Sequence, residues 1–326
     1  MPRDPNAPDI NIVKHVATQL LNQEIMHVGR LTTSNMNYVF TVSTKTHDYV
    51  LRMAQPKYKH TYESAIYWQQ RLLPLGVPIV KFIAHDLEGK HSPYPAVLMD
   101  LVPGDDLCNV YKQLSTDAKQ SLAQQMVDIF AKTDNLQVGT TYGFAASYEQ
   151  PTPYKTWYDF LGARLELCRS SLVKTDAFPN DVMQQIGSIA KSLKANLNSV
   201  PPKPFMWDAS ERNVLIYENQ ISGIVDVDNM CFGDPLFTLG LTYLGLEVLG
   251  CDDIYCDTWA NLMNLDPKAN LRLQFYRLFY TVWFMRHYAD KVSENGTAYN
   301  MDADVLNKLF TENLTRINAL LASNNA

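Results

Sequence analysis

The residues with the clearest chemical potential lie between positions 206 and 235. Asp208 is followed five positions later by Asn213, and a second carboxylate, Asp226, comes thirteen positions after that. Phosphoryl transfer needs such a set, because one carboxylate accepts the proton of an attacking hydroxyl while an Asn and a second Asp hold Mg²⁺ on the nucleotide phosphates. The order predicts Asp208 as the catalytic base and Asn213 and Asp226 as the metal ligands.

Two short runs of β-forming residues, 213–217 and 221–227, flank a polar turn at 218–220. This pattern predicts a β-hairpin. The ends of strands are where a rigid scaffold presents reactive groups. An Asp five residues before an Asn is by itself more typical of a turn, but three elements in this order favour a functional site.

The stretch resembles the aminoglycoside phosphotransferase and choline kinase branch of the protein-kinase-like fold. In that family a His-Gly-Asp-x-x-x-x-Asn-Val-Leu loop leads to an Ile-Asp metal strand and then to Gly-Asp-Pro. The residues that match are Asp208, Asn213, Val214, Leu215, Val225, Asp226, Gly233, Asp234 and Pro235. The resemblance implies a kinase that uses ATP or GTP with Mg²⁺ to phosphorylate a hydroxyl of a small molecule.

The sequence departs from the family pattern around the predicted base. The His and Gly that normally precede it are Met206 and Trp207, and an Asp often found shortly after Gly-Asp-Pro is Thr238. In the family the His holds the loop, so its loss concerns loop geometry more than chemistry. We interpret Trp207 as a residue that fills the lobe.

The resemblance also assigns the residues that would bind the nucleotide phosphates. The loop at 31–36 corresponds to the phosphate-covering loop, in which Ser34 and Asn35 would add polar donors to the backbone amides. Arg52 stands where Lys is usual, and it keeps the charge without being an equivalent residue. Glu63, near the start of the next helix, is expected to pair with Arg52 and fix its position.

Residues 96–104 resemble the hinge of the family, which typically ends in Pro-Gly. Backbone groups from Asp100 to Val102 would bond the adenine edge, and Met99 would face the base. Pro-Gly is also an ordinary loop signal. We place the domain boundary here, with an N-terminal nucleotide-binding lobe at 1–103 and a C-terminal helical catalytic and substrate lobe at 104–326.

The hydrophobic periodicity predicts the elements that must position these residues. A helix capped by Asp9 and a second helix at 61–73 accompany five strands, at 24–30, 37–43, 48–53, 78–84 and 94–101. Helices follow at 115–132, 157–172, 182–197, 271–290 and 302–321. We therefore expect a two-lobed α+β protein-kinase-like fold, with a small five-stranded antiparallel sheet lobe and a larger, mainly helical lobe.

Composition limits the classes of partner. The chain has 326 residues and a net charge of −6. A mildly acidic chain of this kind lacks the excess of positive charge that is typical of nucleic-acid-binding proteins. No apolar run is long enough to span a bilayer, and no signal peptide is visible. Five irregularly spaced cysteines favour reduced thiols and a cytoplasmic location. The expected partner is a small molecule, and oligomeric state is not indicated.

A second class of function is a nucleotide-binding pseudokinase with a regulatory or ligand-binding role. Arg52, the glycine-poor loop and the missing His motivate it, whereas the presence of all three predicted chemical residues favours catalysis. Aminoglycosides, macrolides, choline-like alcohols and sugars all stay open as acceptors. The acceptor is expected between the catalytic loop and the helices around 154–175 and 270–290. Acids in that pocket would suit a polyamine, and aromatic or aliphatic groups a macrolide-like compound.

Overall fold

The computed structural model describes residues 7–31, 37–228, 230–293 and 302–324. Within this part of the chain, the N-terminal strands form a five-stranded sheet in the order β1-β2-β3-β5-β4, in which each pairing is antiparallel. The elements are α1 (Ile10–Leu21), β1 (His27–Leu31), β2 (Asn37–Ser43), β3 (Asp48–Ala54), α2 (Lys59–Leu72), β4 (Phe82–Asp86) and β5 (Ala96–Asp100). This arrangement confirms the predicted sheet lobe.

Local sequence explains how this lobe starts. The Asp9 carboxylate accepts the N–H of Asn11 at 2.8 Å, which caps α1 as predicted. The apolar stripe of α1 then buries Val13 and Val16 in one cluster with Phe40 and Leu51 of the sheet. Burial of that stripe fixes the helix on one face of the sheet and leaves the other face toward the rest of the chain.

The remainder of the chain is mainly helical, as predicted. Two of its helices begin at side-chain caps, Ser115 for α4 and Thr156 for α5. The elements are β6 (Asp105–Asp106), α3 (Leu107–Val110), α4 (Thr116–Thr133), β7 (Gly143–Ala145), α5 (Trp157–Leu172), α6 (Val182–Ser192), α7 (Lys194–Asn198), β8 (Lys203–Phe205), β9 (Val214–Tyr217), β10 (Gln220–Ile224), β11 (Met230–Gly233), α8 (Leu236–Val248), α9 (Ile254–Leu262), α10 (Pro267–Ser293) and α11 (Ala303–Asn324).

Two small three-stranded antiparallel sheets lie within the mainly helical part of the chain. The predicted hairpin is β9 and β10, which pair with β6 in the order β10-β9-β6. Strands β7, β11 and β8 form a second sheet in the order β7-β11-β8. The sequence did not predict this second sheet, because its strands are three or four residues long and pair with distant segments.

The core of the larger lobe is built around α10, whose Phe275, Leu278 and Val282 are fully buried. Helix α8 crosses it so closely that a Cβ at Gly240 would lie 2.6 Å from the Cβ of Tyr276. Gly240 therefore sets the approach of the two helices. In the described residues, no helix combines the length and the apolar character that crossing a membrane requires.

We predict that Gly240→Ala destabilises the protein by about 1–3 kcal/mol, because the added methyl overpacks the contact between α8 and α10. Gly187→Ala is the matched control, since Gly187 lies in α6 with nothing within 4 Å of its added Cβ. That control should stabilise by about 0.5–1 kcal/mol through helix propensity. Denaturant unfolding measures both, and equal effects at the two glycines would contradict the packing argument.

Candidate active site

The hairpin brings two of the predicted site residues to the same edge. Asn213 directly precedes β9, and Asp226 follows β10 by two positions. The strands pair with Ile224 opposite Val214, and the backbone N–H of Val225 donates to the carbonyl of Asn213 at 2.9 Å. Antiparallel pairing thus makes neighbours of residues that are thirteen positions apart in the sequence.

The loop that carries Asp208 is held by its own hydrogen bonds. The side-chain amide of Asn213 donates to the backbone carbonyl of Asp208 at 2.8 Å, and the hydroxyl of Ser210 donates to the Asp208 carboxylate at 3.4 Å. The Asn213 nitrogen therefore fixes the loop, and the side-chain oxygen is the atom left to act as an acceptor. Asp208, Asn213 and Asp226 stay predictions as functional residues, but the fold places them together.

The missing family His is compensated by a different contact. Met206 is buried, and its backbone carbonyl accepts a hydrogen bond from the hydroxyl of Thr238 at 2.9 Å. The two departures from the family pattern thus meet in space. Trp207 packs on Phe144 with ring centroids 4.8 Å apart, in agreement with its interpretation as a filling residue.

Several acids crowd the loop and change its electrostatics. Burial, together with the charges of Asp226 and Glu211, raises the pKa of Asp208 to about 7. Glu211 is itself 2% exposed, and burial raises its pKa to about 7. Carboxylates that share a desolvated cleft resist ionisation together. A pKa near neutrality suits a group that must accept a proton.

Arg52 on β3 is the cation at this cleft, and it is 4% exposed. One guanidinium nitrogen lies 2.9 Å from the Asp226 carboxylate, and Asp228 receives hydrogen bonds from two nitrogens at 3.0 and 3.3 Å. Burial alone would lower the pKa of Arg52, but Asp228 and Asp226 raise it above its ordinary value. The guanidinium is therefore charged and ties the sheet lobe to the end of the hairpin.

The backbone at Asp226 is unusual as well. Its φ is +57°, in the left-handed region that a residue with a side chain seldom adopts. Such a conformation costs energy and persists where the surroundings impose it, which occurs frequently at functional sites. With this backbone conformation, the Asp226 carboxylate lies 2.9 Å from the Arg52 guanidinium.

The predicted pair between Arg52 and Glu63 is wrong. Glu63 is 52% exposed and lies 3.5 Å from Lys59, one turn earlier on α2. Arg52 is instead held by Asp228, for which the sequence predicts only a supporting carboxylate or a contact to the substrate. Asp228 lies two positions after Asp226, and both carboxylates contact the Arg52 guanidinium.

The predicted base-binding residues line an apolar slot between the sheet and β10. Met99 packs there with Val50 and Val80, and Val102 and Val225 complete it. The space enclosed beside Arg52 and Asp226 is only about 20 Å³, so these side chains must separate to admit a base. The apolar side chains of the slot suit the flat, largely apolar faces of a nucleobase.

Three further residues were predicted to contact the nucleotide, and the structure describes only Asp100 among them. The Asp100 side chain is exposed, and its backbone N–H donates to the carbonyl of Lys81 at 3.2 Å, so that this N–H is already occupied. Ser34 and Asn35 lie outside the described residues.

The donor set fits Mg²⁺ and does not fit a metal held by protein alone. Among the described residues there is no group of three or more His, Cys, Asp or Glu side chains that could hold a metal ion. Mg²⁺ is usually bound through one or two protein oxygens together with substrate phosphates. The side-chain carbonyl oxygen of Asn213 and the carboxylate oxygens of Asp226 are hard oxygen donors of that kind.

Gly-Asp-Pro forms the support beneath the site. Asp234 is 4% exposed and accepts hydrogen bonds from Arg272 at 2.6 Å and from the Tyr276 hydroxyl at 2.8 Å. Trp157 donates to the same Tyr276 oxygen at 2.8 Å. A Cβ at Gly233 would lie 2.3 Å from the Trp157 ring. The motif therefore locks β11 onto α5 and α10.

Comparison with known proteins identifies the family to which the chain belongs. A profile of the phosphotransferase enzyme family matches residues 30–261, which is most of the chain. The chain belongs to this family and is a phosphotransferase, as the sequence resemblance implied. A sequence search of curated proteins gave no significant match.

Solved structures agree on the fold. A thermostable mutant of aminoglycoside phosphotransferase APH(4)-Ia, in complex with AMP-PNP and hygromycin B, has a TM-score of 0.68 at 15% identity over 95% of this chain and 98% of that chain. ADP-bound aminoglycoside phosphotransferase APH(2'')-Ib has a TM-score of 0.61 at 16% identity, covering 94% and 97%. A protein described as a fructosamine-3-kinase from Haemophilus somnus 129PT has a TM-score of 0.62 at 14% identity, covering 93% and 96%. At these identities the likeness shows the kinase-like fold alone.

We predict that Asp228→Asn raises the KM for ATP about tenfold, because Arg52 loses a charged hydrogen-bond partner that holds it in place. Glu63→Gln is the matched control and should change that KM less than twofold, as expected for an exposed pair. Steady-state kinetics with varied ATP measure both. A larger effect at Glu63 than at Asp228 would restore the family pairing and refute the one described above.

Proposed function

We propose that this phosphotransferase moves the γ-phosphate of ATP or GTP to a hydroxyl of a small molecule. The observation that carries the proposal is the convergence of Asp208, Asn213 and Asp226 on one cleft edge, with Arg52 lying 2.9 Å from Asp226. Kinase-like phosphoryl transfer needs a proton acceptor, two oxygen ligands and a phosphate-binding cation. The cleft supplies one candidate for each role.

ATP with Mg²⁺ is the cofactor pair of this family, and two of the similar structures hold AMP-PNP or ADP. In this chain the apolar slot at Met99 and Val102 would hold the base. Asn213 and Asp226 would hold Mg²⁺, which when bound neutralises charge on the nucleotide phosphates. Arg52 would then exchange one of its two carboxylate partners for a phosphate, which the planar guanidinium suits.

The reaction itself follows from the position of Asp208. The acceptor oxygen attacks the γ-phosphorus, the bond between that phosphorus and its bridging oxygen breaks, and the nucleoside diphosphate leaves. Asp208 orients the acceptor hydroxyl and takes up its proton. Arg52 stabilises negative charge on the phosphates. Most of the rate enhancement comes from positioning and charge stabilisation, since the protein forms no covalent bond with the phosphoryl group.

We further propose that the division at residue 103 separates nucleotide binding from acceptor binding, with residues 1–103 and 104–326 as the two lobes. The five cysteines are free thiols, which supports a reducing, cytoplasmic location. A pseudokinase is the alternative, motivated by Met206 and Arg52. The contact from Thr238 to the Met206 carbonyl weakens it, because the loop keeps a support without the His.

We predict that Asp208→Asn lowers kcat for acceptor phosphorylation by a factor of about 100 or more, because the proton acceptor is lost. The control is Asp134→Asn, which removes an exposed partner of Lys203 and should leave kcat unchanged. Nucleotide consumption over a broad panel of hydroxyl compounds measures the rates. A wild-type protein that turns over no more nucleotide than Asp208→Asn with any acceptor would favour the pseudokinase.

The raised pKa of Asp208 gives a separate prediction. The base works in its ionised form, so kcat/KM should rise with pH along an acid limb with a midpoint near 7 and level off above it. Below the midpoint the rate should fall about tenfold per pH unit. A profile that is flat from pH 5 to pH 9 would contradict the raised pKa of Asp208, since an ordinary Asp is ionised throughout this range.

A further inference from the structure

Arg164, on the side of α5 that faces β7, is a cation for which the described residues supply no acidic partner. Its guanidinium carbon lies 4.7 Å from the ring centre of Phe144 and 5.2 Å from that of Phe160. The side chain is half-buried, and its Nε is buried without a hydrogen-bond partner in the part of the chain that the structure describes. Arginine is costly to bury in this way unless another group satisfies its donors.

A second polar group in the same region is also unsatisfied. Tyr280 on α10 is 2% exposed, and its hydroxyl has no hydrogen-bond partner among the described residues. Burial raises the pKa of Tyr280, Asp208 raises it further and Arg164 lowers it. The phenol therefore lies within electrostatic reach of both the predicted base and the unpaired arginine.

The aromatic contacts give the same placement. Phe144 packs on Trp207, the residue before Asp208, with ring centroids 4.8 Å apart. Arg164 lies against that same Phe144 ring. One aromatic ring thus separates the guanidinium from the loop of the base, on the side of α5 and α10 where the sequence predicts the acceptor.

The charges around Arg164 are not those of a site for a polycation. The groups with the largest electrostatic effect on it are Tyr154, Cys231, Arg286 and Tyr280, and Arg286 is a second cation. Arg286 lies over Trp283 at 4.6 Å and 3.2 Å from Asp290. A polyamine acceptor would need carboxylates where this chain places arginines and aromatic rings.

We propose that the acceptor alcohol carries an oxyanion, a carboxylate or a phosphate, at a distance from the reacting hydroxyl, and that Arg164 binds this oxyanion. The inference rests on the proposed function for the position of the reacting hydroxyl. The planar guanidinium offers a fork of donors that matches two oxygens of an oxyanion. Tyr280 supplies a further hydroxyl donor, and the rings of Phe144 and Trp207 border the connecting part of the ligand.

The test measures binding and not turnover. Calorimetric titration in the presence of Mg²⁺ and AMP-PNP compares four probes with one skeleton: 3-(hydroxymethyl)benzoate, 3-(hydroxymethyl)phenyl phosphate, 3-(hydroxymethyl)benzamide and 3-(hydroxymethyl)benzylamine. The wild type should bind at least one of the two oxyanions about tenfold more tightly than the amide, because a charged hydrogen-bonded pair replaces a neutral contact. The amine should bind most weakly. The tighter of the two oxyanions identifies the class of anion.

Arg164→Met keeps the apolar stem against the aromatic rings and should abolish the preference for an oxyanion. Arg164→Lys keeps the charge but loses the planar fork of donors, and it should retain part of the preference for an oxyanion. A partial preference in this variant separates anion binding from a general loss of folding. The matched control is Arg169→Met, five residues further along α5, where the arginine is 52% exposed and pairs with Glu166. This control should bind the probes as the wild type does.

A wild type that binds neither oxyanion more tightly than the amide overturns the assignment, and so does a preference that persists in Arg164→Met. Neither result bears on phosphoryl transfer itself, because nucleotide consumption that depends on Asp208 is measured separately. Conversely, oxyanion binding that depends on Arg164 in a protein without turnover would support the acceptor site while contradicting the proposed reaction.

Discussion

The structure depends on one buried guanidinium shared by two carboxylates. Arg52 comes from the third strand of the N-terminal sheet, and Asp226 and Asp228 come from the end of the catalytic hairpin, 174 and 176 positions later. Without the cation, the two neighbouring carboxylates, of which that of Asp228 is largely buried, would repel each other. Without the carboxylates, a buried arginine would be costly. The ion pairs thus join the sheet to the site and set the charge balance that an incoming nucleotide must alter.

The rest of the larger lobe keeps the hairpin in register with that arginine. Asp234, Tyr276 and Trp157 form a buried hydrogen-bonded chain under β11. Thr238 holds the loop of the base from α8 through the Met206 carbonyl. A rigid support of this kind matters, because catalysis by positioning loses much of its effect when groups move by an ångström. Met206 can stand where the family has His, because the Thr238 hydroxyl donates to the backbone carbonyl of residue 206 and does not depend on its side chain.

Much of the fold was accessible from the sequence. Periodic apolar stripes predicted α1, α4 and α5, with Asp9 as the cap of α1, and the alternation at 37–53 predicted the β2–β3 hairpin. The sheet of β7, β11 and β8 was missed, because three-residue strands carry no periodicity. The pairing of Arg52 was also missed, since the contact to Asp228 depends on how two lobes meet. Family resemblance pointed to Glu63, and local geometry placed that residue beside Lys59.

The most direct measurement of the central claim is a crystal structure of this protein with Mg²⁺ and AMP-PNP. The account predicts the base in the slot formed by Val50, Val80 and Met99, Mg²⁺ coordinated by Asn213 and Asp226, and Arg52 on the phosphates while it stays bonded to Asp228. A nucleotide bound elsewhere, or a metal ion that ignores Asn213 and Asp226, would contradict it.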